Sequence, residues 1–208
     1  MAGTVTSTID ALTITNADIS ATAEVGRAKL ALESLKYSIP LEELRQLNHA
    51  SNAVLPNTAT SAILGYIVGT ISSSGASIQT SDADGTTVTC IAQFTFELPA
   101  EYQAGQAISI VAEAGMKTTI SNSTATIDFE CYYKNPADNT HSADLVTTAA
   151  TTINSLTLST KTFVVTPTSR VAGDQFAVKM TIAITDGGSG TAVLGMVSKL
   201  HVLLGVRG

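Results

Sequence analysis

Between residues 87 and 98 every second position is apolar (Val88, Cys90, Ala92, Phe94, Phe96, Leu98), while the positions between them read Thr87, Thr89, Ile91, Gln93, Thr95 and Glu97. Successive side chains of an extended chain leave on opposite faces, so a period of two predicts a strand with one buried face. The beat returns in Ile108/Ile110/Ala112/Ala114/Met116, in Ala125/Ile127/Phe129/Cys131/Tyr133 and in Phe176/Val178/Met180/Ile182/Ile184. Most of the chain after residue 60 therefore reads as two β-layers packed on each other.

Residues 27–39, 61–71, 87–98, 106–116, 124–134, 161–166, 175–185 and 191–204 make about eight expected strands. Residues 40–47 read as one short helix. Ser38 is its candidate N-cap, Pro40 sits in the first turn, Glu42 and Glu43 lie near the positive end, and Leu41, Leu44 and Leu47 form its stripe. Residues 72–85 read as a loop, and residues 135–160 as a long connection with a helical turn at 145–153. Residues 117–123 are short enough for a hairpin, in a register with Ala112 opposite Phe129 and Glu113 opposite Asp128. One hairpin among long connections suits a jelly roll better than an up-and-down barrel. With the strands lettered B to I, the hairpin falls between E and F. An immunoglobulin-like sandwich is the runner-up, without a Trp or a Cys-Trp-Cys spacing to support it.

The expected fold is all-β, an eight-stranded jelly-roll-like sandwich over residues 26–208. Residues 1–25, rich in Thr, Ser and Ala with isolated Ile9, Leu12, Ile14 and Ile19, read as an extended arm lying on a neighbouring subunit, with disorder as the alternative.

Composition narrows the function. With 208 residues and 44% hydrophobic content the chain can bury one substantial core. Charged residues are only 13%, about half the usual share of roughly 25%, so the surface is suited to being covered. A net charge of −6 without a Lys/Arg cluster argues against binding nucleic acid. Residues 1–10 carry neither the basic nor the apolar region of a secretory signal. The longest apolar run, residues 62–68, falls far short of the roughly 20 residues needed to span a bilayer. Cys90 and Cys131 both fall on the inward parity and read as buried thiols, with a disulfide across the core left open.

Candidate chemistry is sparse. Glu113, Asp128 and Glu130 share the outward face of the expected hairpin, and paired carboxylates about 5 Å apart serve retaining glycosidases; without a Trp platform, a solvated acidic face is the preferred reading. Asp82-Ala83-Asp84-Gly85 resembles the start of a calcium loop, but the twelfth position is Gln93 rather than Glu, and turn chemistry accounts for Asp and Gly. His49, His141 and His201 have no metal-ligand spacing, and no Gly-x-Ser-x-Gly elbow is present. No catalytic residue, metal or cofactor is expected, and the chain is not expected to be an enzyme.

Two turns, Phe96-Glu97-Leu98-Pro99-Ala100-Glu101-Tyr102-Gln103-Ala104-Gly105-Gln106 and Val171-Ala172-Gly173-Asp174-Gln175-Phe176, each feed the next strand. With the Thr-rich arm and the low charge, they make the chain resemble the jelly-roll cement or decoration proteins of tailed bacteriophage capsids. The resemblance is one of style over most of residues 26–208. It implies a homo-oligomer, often a trimer, seated on the virion surface against the major capsid protein after synthesis in the host cytoplasm. Contacts are expected in the arm (Ile9, Leu12, Ile14, Ile19), in Ile63, Tyr66, Ile67 and Ile71, and in outward-facing Val193, Val197 and Leu203 of the last strand. Two alternatives stand beside it. A carbohydrate-binding module or host-surface adhesin requires an aromatic-lined groove, and Phe94, Phe96, Phe129, Phe163 and Phe176 all carry inward parity, while Tyr132 points outward. A jelly-roll coat subunit requires self-assembly.

Overall fold

The computed structural model describes residues 32–47, 53–70, 74–137, 140–166, 169–188 and 190–207. Ile9, Leu12, Ile14, Ile19, His49 and Ile71 lie outside the described residues. The strands are β1 (Leu32–Ser38), β2 (Gly65–Ile67), β3 (Ser77–Gln79), β4 (Thr87–Glu97), β5 (Ile108–Thr118), β6 (Thr124–Lys134), β7 (Thr151–Thr152), β8 (Ser159–Val165), β9 (Gln175–Thr185) and β10 (Leu194–Arg207).

They form two antiparallel sheets. The first runs β2-β3-β10-β5-β8, with β1 also paired to β10, and the second runs β4-β9-β6-β7. From β4 onward the chain alternates between sheets at every step except one, β6 to β7. That interleaving is a jelly roll. In β4 the alternate residues Val88, Cys90, Ala92, Phe94 and Phe96 are buried, and in β9 Phe176, Val178, Met180, Ile182 and Ile184. They meet Ile108, Ile110, Ala112, Ala114 and Met116 of β5 and Leu200, Val202 and Leu204 of β10 in one core. Phe129 of the second sheet meets Phe163 of the first edge-to-face, with centroids 4.9 Å apart.

Several expectations are corrected. β5 and β6 are not a hairpin: β5 pairs with β10 and β8, and β6 with β9 and β7. Both edges of each strand are therefore occupied, and the link between them, turning where Ser123 N–H donates to Ile120 O (3.3 Å), crosses from one sheet to the other. Lettered instead with β3 as B and β4 as C, the strands it joins are D (β5) and E (β6). Strand F is the two-residue β7, hidden in the expected long connection, which has no helical turn at 145–153. The expected strand at 61–71 contracts to β2, which extends the first sheet through β3, a strand inside the expected loop 72–85. The expected helix is one 3-10 turn, Leu41–Glu43, entered from extended Pro40 without a side-chain cap; Leu41 and Leu44 are buried.

The last correction concerns β10. Val197 pairs with Ala114 and Lys199 with Glu113, two adjacent residues of β5, so Ser198 is an extra residue in the strand. A bulge of one residue reverses the inward parity. Val193 and Val197 thus point inward before it and are fully buried, while Leu200, Val202 and Leu204 point inward after it. Of the three residues expected to face outward, only Leu203 does, and it is half-buried.

Candidate functional site

The second sheet leaves its outer face open across β4, β9 and β6, and the registers of these strands fix which side chains stand together. Outward residues form rows across the sheet: Glu97, Gln175 and Lys134; Thr95, Ala177 and Tyr132; Gln93, Lys179 and Glu130; Ile91, Thr181 and Asp128. Ala177 is the smallest member of its row and leaves a depression between Thr95 and Tyr132. On one side Arg45 extends the edge of β4, its N–H donating to Gln93 O (2.8 Å) and its O accepting from Gln93 N–H (2.9 Å), and leads to Leu47. On the other side His141 bridges to Lys134, and Ser142 N–H donates to Tyr133 O (2.9 Å).

Between these walls lie two adjoining hollows. One, of about 600 Å³, is bounded by Thr95, Glu97, Gln175 and Lys134, with Tyr37 of β1 at its rim. The other, of about 320 Å³, is bounded by Leu47, Gln93, Tyr132 and Lys179. Ala177 and His141 border both, so the two hollows form one trough floored at its middle by Ala177.

Three pairings link polar groups of this face. Lys179 Nζ forms an ion pair with Glu130 Oε2, Tyr132 Oη donates to Glu130 Oε1 (3.0 Å), and Gln175 Nε2 donates to Glu97 Oε2 (3.2 Å). The hydrogen bond from Lys179 holds the Glu130 carboxyl below its ordinary range. Burial, reinforced by Glu130, pushes the Tyr132 phenol up to about 12. The Tyr132 ring also meets His141 edge-on, with centroids 6.4 Å apart. Burial raises Asp128, helped by Glu130 and Asp144 and opposed by the Phe129 amide. Neither Asp128 nor Glu130 borders the trough.

The three carboxylates expected to cluster do not. Glu113 stands on the outer face of the first sheet, where it pairs with Lys199 at 2.9 Å, whereas Asp128 and Glu130 stand on the opposite side of the sandwich. The acidic turns are cross-links between loops. Asp82 Oδ1 accepts from Val193 N–H (2.9 Å) and Asp84 N–H (3.3 Å), and Asp186 accepts from Gly85 N–H (2.9 Å) and Gly188 N–H (3.1 Å). Among the described residues no group of three or more His, Cys, Asp or Glu is placed to hold a metal ion. Cys90 and Cys131 are free and buried. Cys90 pairs with Ile182 and Cys131 with Val178, on opposite sides of β9. That puts their strands about 10 Å apart, beyond the roughly 7 Å a disulfide spans.

Ile63 and Tyr66 pack against the core, and Ile67 borders a hollow on the first sheet. Of the trough, the sequence reading singles out Tyr132, and the outward parity of Ala177, between inward Phe176 and Val178, is the signal that could have found it. The approach of His141 and Leu47 comes from loops, where no periodicity operates.

No protein-family model and no curated protein matches the sequence. Among solved structures, the CBM22-2 xylan-binding domain of Paenibacillus barcinonensis Xyn10C is 12% identical, with 82% of this chain and 98% of that chain covered at a TM-score of 0.42. The CBM22-1 domain of the same enzyme is 10% identical, with 84% and 94% covered at 0.39. TmCBM61 in complex with β-1,4-galactotriose is 9% identical, with 82% and 88% covered at 0.36. At these values the likeness bears on neither ligand nor activity.

Proposed function

We propose that this chain is a non-catalytic binding module whose trough takes a carbohydrate chain. The observation that carries this reading is the Tyr132 ring beside the small floor residue Ala177, with amide side chains in the rows above and below it (Gln175 and Gln93). A sugar ring offers an apolar C–H face to an aromatic surface and a rim of hydroxyls that both donate and accept. A concave site with the Tyr132 ring, two convergent amides and the Glu97 carboxylate matches that mixture. The Lys179–Glu130 pair is satisfied internally, which leaves Lys134 and Glu97 as the charged groups bordering the trough. Affinity electrophoresis in soluble xylan, β-1,4-galactan and mannan, followed by calorimetry, tests the reading. Retardation by one polysaccharide that disappears in Tyr132→Ala supports it, and unretarded migration in all of them overturns it.

A second reading, decoration of a virus shell, is favoured by β1. All seven of its residues are exposed, including Leu32, Leu35 and Tyr37, and exposed apolar edge strands are templates for pairing with another chain. Light scattering across a concentration series tests it. A stable trimer supports an assembly role, and a concentration-independent monomer removes the oligomer on which this reading depends.

A further inference from the structure

Glu130 occupies a bridging position on the open face. It stands opposite Lys179 in register and uses its two carboxylate oxygens for different partners, Oε2 for the Lys179 ammonium and Oε1 for the Tyr132 hydroxyl at 3.0 Å. Lys179 reaches it from β9, while Tyr132 comes from the same strand two residues on. The ring of Tyr132, tethered at its hydroxyl, meets His141 edge-on at an interplanar angle of 62°. Tyr132 and His141 border the trough whereas Glu130 does not. A side chain outside the cavity therefore fixes the orientation of the ring inside it. A ring held in place before the ligand arrives loses no rotational freedom on binding, which is the usual gain from preorganisation.

We infer that Glu130, held by Lys179, is a positioning residue that sets the Tyr132 ring against His141 for ligand binding in the trough. The inference rests on the carbohydrate reading, and it separates from that reading because the clamp has a signature without ligand.

The experiment compares Glu130→Ala, Glu130→Gln, Tyr132→Phe and the unaltered full chain at neutral pH, with far-ultraviolet circular dichroism confirming the fold of each. The first readout, without ligand, is the nuclear Overhauser contact between the rings of Tyr132 and His141. The second is affinity for whichever of the three polysaccharides the unaltered chain binds. The contact is expected to vanish in Glu130→Ala and to persist in Glu130→Gln, whose amide oxygen still accepts from the phenol. Affinity is expected to fall about tenfold in Glu130→Ala and Tyr132→Phe, and about threefold in Glu130→Gln. A contact that survives in Glu130→Ala overturns the clamp. A contact that is lost while affinity is unchanged overturns the positioning role and leaves the carbohydrate reading standing. An unaltered chain that binds none of the three polysaccharides overturns the carbohydrate reading and the ligand half of this inference, and the ring contact alone then decides whether the clamp exists.

Discussion

Phe129 and Phe163 lie edge-to-face at 4.9 Å and 63°, one from β6 in the second sheet and one from β8 in the first, both fully buried. The pair joins the two layers, because an aromatic ring has the length to cross half of the roughly 10 Å between packed sheets. Either residue mutated to Ala should cost about 3–5 kcal/mol by lost burial and the cavity left behind. Urea unfolding of both single mutants and the double mutant should give a coupling of about 0.5–1.5 kcal/mol. Strict additivity would show that the rings contribute area alone.

The bulge at Ser198 makes a sharper test of register. Deleting Ser198 removes the extra residue and puts Val193, Val197, Leu200, Val202 and Leu204 on one unbroken period of two, so a single regular register buries both sets. The deletion should therefore keep cooperative unfolding and the pairing of β10 with β5. Ser198→Ala keeps the residue count and should stay within about 0.5 kcal/mol of the unaltered chain. Loss of cooperative unfolding in the deletion variant would mean that Ser198 is not the extra residue separating the two parities.

The same strand shows where sequence reading succeeds and where it stops. The long strands β4, β5, β6 and β9 are legible because one face is buried along their whole length and every second residue reports it. In β10 the apolar residues are all visible, but a single inserted residue exchanges their faces, and nothing in the composition of Val197-Ser198-Lys199 marks it. β3 and β7 are too short for a period to show. The partnership of β5 and β6 misleads because a five-residue link fits a hairpin and a crossing between sheets equally well; only the pairing of the neighbouring strands decides. In the trough, Tyr132 and Ala177 are readable from parity, whereas Leu47 and His141 arrive on irregular backbone.

The Glu130–Lys179 pair should give a pH signature of known sign. The folded protein holds Glu130 below its ordinary value of 4.5, so its contribution is complete above that value and is lost as pH falls through the lower folded one. The pair is partly exposed, which limits the contribution to about 0.2–1 kcal/mol. The stability difference between the unaltered chain and Glu130→Gln should be present at about pH 7 and close as pH falls below the ordinary value of 4.5. A difference independent of pH would assign the effect to packing rather than charge.

Both thiols should be silent in the native state. Cys90 and Cys131 are buried, and desolvation, with Asp144 nearby, pushes the Cys131 thiol up to about 12. Only the thiolate reacts with a disulfide reagent. Native protein should release no chromophore from such a reagent over hours, and denatured protein should react at both cysteines. Prompt labelling of the native protein would reveal local opening of the second sheet around β9.

Ala177 tests the trough without touching the core. It faces outward between Thr95 and Tyr132 and is half-buried, so a larger side chain there projects into the hollow and not into the sandwich. Ala177→Ile suits strand geometry through its branched Cβ and should leave the denaturation midpoint nearly unchanged. It should also fill the depression where the two hollows join, and abolish retardation by any polysaccharide that binds the unaltered chain. Ala177→Ser adds only a hydroxyl and should retain most of the affinity. Because the substituted position carries no charge and no hydrogen bond from its side chain, loss of binding in the Ile variant with a preserved midpoint can arise only from occupied space. That result would locate the ligand over Ala177, and undiminished binding in the same variant would move the ligand elsewhere on the molecule.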